Sequence, residues 1–220
     1  MATPTVPGGD YYRPKVEESS TWANPAVVGL MGFGTTTMIA GIAIATNGSN
    51  WGTDNYPVFA MALAFGGSAQ FVAGIIAMRK GEIFPGSAFM GYGAFWWAFT
   101  LFLSGMIPSV SPGAGAILGS WDIMWFMIVW ALFTFAFAIN SHKHGVGIAI
   151  VFWTLVLAYI LLAIDFGTLT ASIHGNGSLP PGWLWNTTGI DTFICGLVAW
   201  FVAMGILTSA HYGGKKVIPY

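Results

Sequence analysis

Asp122, Asp165 and Asp191 lie in or beside long apolar stretches of this 220-residue chain, where a carboxylate can serve as an acid, a base or a cation ligand. All three map to helix ends. Asp122 and Asp191 fall at helix N-termini, where the helix dipole favours a negative charge, so both read as end-capping residues. Asp165 falls at a C-terminal end, so either its helix runs on toward Ser172 or the carboxylate lines an external mouth. His142, His144, His174 and His211 all fall in loops or at helix ends, leaving no imidazole at depth for a haem or a hydrolytic base. Cys195 stands alone in an apolar run, which excludes a disulfide framework and a thiolate metal site. No lysine lies within a span to carry a Schiff base. No catalytic residue, metal or cofactor is therefore expected, and a relay of carboxylates is not expected either. A conduit for a small solute and a structural membrane protein without a pore remain.

Uncharged polar side chains do reach depth: Thr35, Thr36, Thr37, Gln70, Tyr92, Thr100, Thr154 and Tyr159. A threonine there ordinarily bonds its own backbone or an adjacent helix. Gln70 stands apart, because a primary amide has four hydrogen-bonding sites and is costly to turn toward lipid. It either lines a pore or bonds a neighbouring helix.

Membrane spans must position these groups. The chain is 55% hydrophobic and only 7% charged, with a mean hydropathy of +0.71, whereas soluble domains carry about 25% charged residues. A soluble enzyme and a disordered chain are excluded, and a net charge of −1 without a basic cluster excludes a nucleic-acid partner. Six stretches are long and apolar enough to span: Ala26 to Thr46, Pro57 to Met78, Gly86 to Ile107, Ala116 to Ala138, Gly145 to Ile164 and Ile190 to Ala210. Runs such as Met124 to Ala138 are apolar on every side, which favours helices over the alternating strands of a barrel. The expected fold is thus an all-α integral membrane protein with six transmembrane helices and the lipid bilayer as its solvent.

Arg13, Lys15, Arg79, Lys80, Lys143, Lys215 and Lys216 all fall on one side of the helix alternation, which makes both termini cytoplasmic. Residues 1–23 read as a flexible cytoplasmic tail, 24–212 as the transmembrane domain and 213–220 as a short C-terminal tail. Sequons begin at Asn47, Asn176 and Asn186 in expected external loops, the longest of which covers about 165–189. Gly29, Gly32 and Gly34, with the pairs Ala62/Gly66 and Ala199/Ala203, provide small faces for close helix contact and for a homo-oligomer.

The first helix begins Asn24-Pro25-Ala26-Val27-Val28-Gly29-Leu30, with Asn24 as N-cap and Pro25 in the first turn. This segment resembles the Asn-Pro-Ala-Pro-Leu-Gly-Leu signature of the acetate uptake transporter family, with Val27 and Val28 replacing the usual Pro and Leu. Met31-Gly32-Phe33-Gly34, Gly66-Gly67-Ser68-Ala69-Gln70, Tyr92-Gly93-Ala94-Phe95-Trp96 and Ile194-Cys195-Gly196 extend the likeness over about 22–212. The resemblance implies a pore within each protomer and assembly as a hexamer in the plasma membrane. It also implies an apolar constriction of Phe33, Tyr92 and Leu155, with Asn24, Thr36 and Gln70 along the solute path. Ala199 matches a position where side-chain size influences which acids pass. Acetate, related small monocarboxylates or succinate are the implied solutes, carried by a channel-like or proton-coupled route. A channel for urea, ammonia or water is the rival reading.

Helix rise tests these residues independently. At 1.5 Å per residue, Phe33 lies about 10 Å into its helix and Gln70 about 12 Å from Met78. Tyr92 lies about 9 Å in and Leu155 about 15 Å in on the same rise. All four fall near one level of the bundle, where the Tyr92 hydroxyl and the Gln70 amide are expected to hold a carboxylate.

Overall fold

A computed structural model describes residues 22–48, 56–104 and 121–215. The expected N-terminal tail through residue 21, the central part of the loop at 47–56, the loop at 108–115 and residues 216–220 lie outside the described residues. Within them the chain is helical, without a strand.

Helix α1 covers Ala26–Asn47, and its first turn is held by Asn24, whose Oδ1 accepts a hydrogen bond from the Ala26 N–H at 2.9 Å. Helix α2 begins at Tyr56–Met61, widens into a π-helical stretch at Ala62–Ala69 and returns to α-helix over Gln70–Arg79. Within the widened stretch Ser68 donates to the Leu63 carbonyl five residues back, at 2.7 Å. A tight turn follows, with Gly81 at a φ of 81° and a 3.0 Å ion pair between Lys80 and Glu82. Helix α3 is Ile83–Leu103 and α4 is Trp121–Ser141. A 3₁₀ turn at His142–His144 leads through Gly145, at a φ of 107°, to α5, Val146–Ile173. Helix α6 is Gly182–His211.

Five segments are long and apolar enough to cross a membrane: Ala26–Thr46, Pro57–Arg79, Trp121–His144, Val146–Ile173 and Gly182–His211. Helix α3 has 21 residues and no charge, but its glycines, Tyr92 and two tryptophans lower its hydropathy. Those residues face neighbouring helices: Tyr92 and Trp96 are 3% and 5% exposed.

Helix α5 runs on past Asp165 toward Ser172, one of the two alternatives for that residue, and the last helix starts earlier than expected. Helix α5 continues to Ile173 and α6 starts at Gly182, so the long external loop shrinks to His174–Pro181. Asp191 is therefore not at a helix start but in the third turn of α6, where it caps nothing. The expected placement of Asp165 at a C-terminal helix end changes accordingly, because it lies two turns inside α5 and has no exposed surface. Thr188 on α6 donates to Asp165 Oδ2 at 2.6 Å, and this bond offsets part of the cost of burying a carboxyl group.

Helices α1 and α6 make the broadest contact of the bundle. Added Cβ atoms show how close it is. One on Gly34 would lie 2.7 Å from the Gly196 carbonyl oxygen, one on Gly41 2.5 Å from the Phe193 nitrogen, and one on Gly189 2.4 Å from the Ala45 nitrogen. In lipid, such backbone approach replaces the hydrophobic effect as the force between helices. Helices α3, α4 and α5 instead meet through rings, with Phe95 and Trp130 centroids 5.1 Å apart and Phe137 stacked on Phe152 at 5.6 Å.

Candidate functional site

Helical periodicity turns Phe89, Tyr92, Phe95, Trp96 and Phe99 of α3 inward, facing Leu155, Ala158, Tyr159 and Leu162 of α5. Helix α1 adds Phe33 and Thr37, and α2 adds Gln70. Between these faces lie two cavities. The first has a volume of 180 Å³ and is lined by Phe33, Gln70, Phe84, Phe89, Tyr92, His144, Phe152 and Leu155, among others. The second, of 40 Å³, is lined by Phe33, Thr37, Phe95, Trp96, Leu155, Tyr159, Leu162 and Thr192 among others. Phe33 and Leu155 line both cavities. They form the partition between them, an apolar throat with a small, mostly apolar chamber on either side.

Tyr92 packs on the throat, its ring centroid 5.7 Å from that of Phe33 and 6.1 Å from that of Phe152. Its hydroxyl points elsewhere, bonding Thr134 Oγ1 of α4 at 3.0 Å. The carboxylate-holding role expected of that hydroxyl is thus occupied by a neighbouring helix, and Tyr92 meets the first cavity with its ring. Gln70 is 1% exposed and its Oε1 has no partner within the protein. Buried polar atoms are normally bonded, so this unpaired carbonyl oxygen in a cavity wall is an acceptor open to the proton of a carboxylic acid, beside the two N–H donors of the same amide. The π-helical stretch before Gln70 resets the register of α2, so that Gly66, Gln70, Ala73 and Ala77 share the buried face.

The other expected site residues are distributed more widely. Asn24 is exposed at the foot of α1, committed to its cap. Thr36 is wholly buried against the π-helical stretch, its Oγ1 3.5 Å from the Met61 carbonyl. Ala199 is wholly buried on α6, one turn above Cys195, which donates to the Val151 carbonyl at 3.4 Å. None of these three lines either cavity.

Beyond the throat, Thr37 Oγ1 and Trp96 Nε1 are buried without a partner where they line the second cavity. Residue type alone hides the role of Trp96, since a tryptophan in a span reads as an interface anchor. Its spacing of four from Tyr92 was the available signal. His144 lines the first cavity with its ring stacked on Phe84 at 4.0 Å and 19°. A larger cavity of 660 Å³ between α4 and α5 has an almost wholly apolar wall. Its one threonine, Thr168, donates to the Ile164 carbonyl at 2.8 Å, so that groove offers no chemistry beyond an apolar fit.

Over residues 8–213 the sequence matches the family described as GPR1/FUN34/yaaH. The chain belongs to this family. It is 31% identical over 206 residues to the succinate-acetate/proton symporter SatP of Escherichia coli K12, covering 90% of this chain and 94% of that one. It is 29% identical over 168 residues to acetate permease A of Emericella nidulans, covering 73% of this chain and 56% of the permease. The fold matches the solved structure of the bacterial acetate channel SatP with a TM-score of 0.74 at 28% identity, over 90% of this chain and 98% of that one. These relatives are transporters and channels by name, and this family member is a multi-span membrane protein with their fold.

Proposed function

We propose that this chain transports acetate, and with it related small monocarboxylates or succinate, across the plasma membrane through an apolar constriction inside each protomer. The observation that carries the reading is the shared wall: Phe33 and Leu155 bound two separate cavities, in a chain whose relatives are named for acetate transport. Burying an unpaired carboxylate costs several kcal/mol, so passage must either neutralise the solute or give it donors. Gln70 supplies an amide immediately before the throat, and Thr37 with Trp96 supplies donors immediately after it. Between them Phe33, Leu155 and the Tyr92 ring strip water and select by size.

In this reading the helices α1 to α6 all span, with both termini cytoplasmic and short tails at 1–23 and 213–220 around a domain at 24–212. The protomers assemble as hexamers. Asn24 and the first turn of α1 form the near vestibule, while Thr36 and Ala199 set the spacing of the helices that carry the wall. Uptake of labelled acetate by reconstituted protein, with and without an imposed proton gradient, tests the proposal. Acetate uptake above protein-free vesicles is the expected result, and a gradient dependence distinguishes coupled from channel-like passage. Uptake of urea, ammonia or water in place of acetate overturns it.

A further inference from the structure

The buried stripes of α5 and α6 that line the second cavity continue beyond it. On α5, Asp165 follows Leu162 by one turn. On α6, Thr188 precedes Thr192 by one turn, and Thr192 donates to the Thr188 carbonyl at 2.7 Å. Leu162 and Thr192 both line the second cavity. The 2.6 Å bond from Thr188 Oγ1 to Asp165 Oδ2 therefore crosses between the two helices about 5 Å beyond that cavity, toward its far end. Asp165 is fully buried, and its second oxygen, Oδ1, has no partner.

Few charged groups surround it. Asp191 and the buried Cys195 lie on α6, Asp122 on the first turn of α4, Tyr159 lower on α5 and His174 just past its end. The part of α1 packed here carries no titratable side chain. All the lysines and arginines of the described helices and turns (Arg79, Lys80, Lys143 and Lys215) belong to the opposite ends of their helices. Among the described residues, no lysine or arginine is at hand to neutralise a carboxylate solute beside Asp165.

We propose that Asp165 is the proton-coupling residue of the path, a carboxyl partner that a small carboxylic acid can pass only while the two groups share one proton. This rests on the transport reading given above. Two carboxylates at hydrogen-bonding distance repel, whereas a carboxylate and a carboxylic acid form a strong bond through one proton. Whichever of the two groups holds that proton, the pair contains one. The proton enters with the solute from one side and leaves with it on the other, so neither is consumed. Oδ1 is the atom that meets the solute, and Thr188 holds Oδ2 so that Oδ1 stays oriented toward the path.

The test compares initial rates of labelled acetate uptake into proteoliposomes at acid and neutral outside pH, after subtraction of protein-free vesicles. Asp165→Asn keeps the shape and the bond to Thr188 but replaces Oδ1 by an amide donor that takes the anion unaided. Its acid-to-neutral rate ratio is expected to fall at least about fivefold below that of the unmodified protein, the lower range of a coupling free energy. Thr188→Val, which leaves the carboxyl in place, keeps the ratio at a reduced rate. An unchanged ratio in D165N, or an equal collapse in T188V, overturns the proposal, the latter by reducing the pair to a structural tie. The unmodified protein provides a check independent of variant folding: acetate uptake must be electroneutral, and acceleration by an imposed membrane potential overturns the assignment. Absence of acetate uptake by the unmodified protein at any pH removes the transport reading itself, whereas uptake with an unaltered D165N ratio removes this proposal alone.

Discussion

Phe33 and Leu155 contribute nothing polar to the path, and their effect is one of size. Each side chain is about 5% exposed and packs into a partition rather than a socket. Truncating either one opens the wall between the two cavities, so Phe33→Ala and Leu155→Ala should raise the rate for a three- or four-carbon acid relative to acetate. Competition against labelled acetate reads this out, and unchanged competition in both variants removes them from the constriction. Tyr92→Phe makes an opposite demand. Its hydroxyl is spent on Thr134, so the variant loses about 1 kcal/mol of stability while acetate uptake stays within about twofold. Gln70→Leu keeps the volume and removes the one unpaired amide before the throat. One lost hydrogen bond in a dry wall predicts roughly tenfold slower acetate uptake, with the folded fraction unaltered. These assignments were partly legible in residue types and spacing, because rise per residue already placed Phe33, Gln70, Tyr92 and Leu155 near one level. The direction of the Tyr92 hydroxyl was not legible, since it depends on a threonine 42 positions away on another helix.

At the scale of elements, the contact of α1 with α6 holds the throat at its width. Phe33 projects from α1 beside Gly32 and Gly34, so any separation of these helices moves the wall itself. Gly41→Ala and Gly189→Ala would force backbone apart where a Cβ lies 2.5 Å and 2.4 Å from opposing nitrogens, at a cost of about 1–3 kcal/mol each. Gly182→Ala, with open space around it, should leave stability unchanged. Thermal unfolding in detergent measures all three, and equal stability in every variant would remove close packing as the bundle's adhesive. The existence of the helices followed from apolar length alone, but their limits did not. Hydropathy alone starts the last helix near Ile190, after a stretch containing Trp183, Asn186, Thr187 and Thr188. The helix instead starts eight residues earlier, because Leu184, Trp185 and Thr188 are buried against neighbours that hydropathy does not see. The π-helical stretch of α2 was equally hidden. Its residues, rich in Ala and Gly, fit either winding, and close packing against Thr36 and Trp97 accompanies the wider one.

For the whole molecule, orientation follows from charge, and the structure gathers that charge at one end. Arg79 and Lys80 close α2, Lys143 lies in the turn between α4 and α5, and Lys215 follows α6. The opposite end carries Asp122 and the short connection His174–Pro181, without a lysine or arginine. On the proposed orientation, with both termini cytoplasmic, the first cavity with Gln70 and His144 opens toward the cytoplasm and the Asp165–Thr188 bond lies toward the outside. The chain supplies a clean background for a direct measurement, because its single cysteine, Cys195, has no exposed surface. Ser178 and Lys143 are both exposed and sit at opposite ends of the bundle. In intact cells a membrane-impermeant maleimide should label Ser178→Cys and leave Lys143→Cys unlabelled until the membrane is opened. The reverse pattern would invert the protein and, with it, the side from which a solute reaches Asp165 first. Inversion would change the side from which the proton and the solute meet at Asp165, while the proton and acetate gradients would still set the direction of net flux.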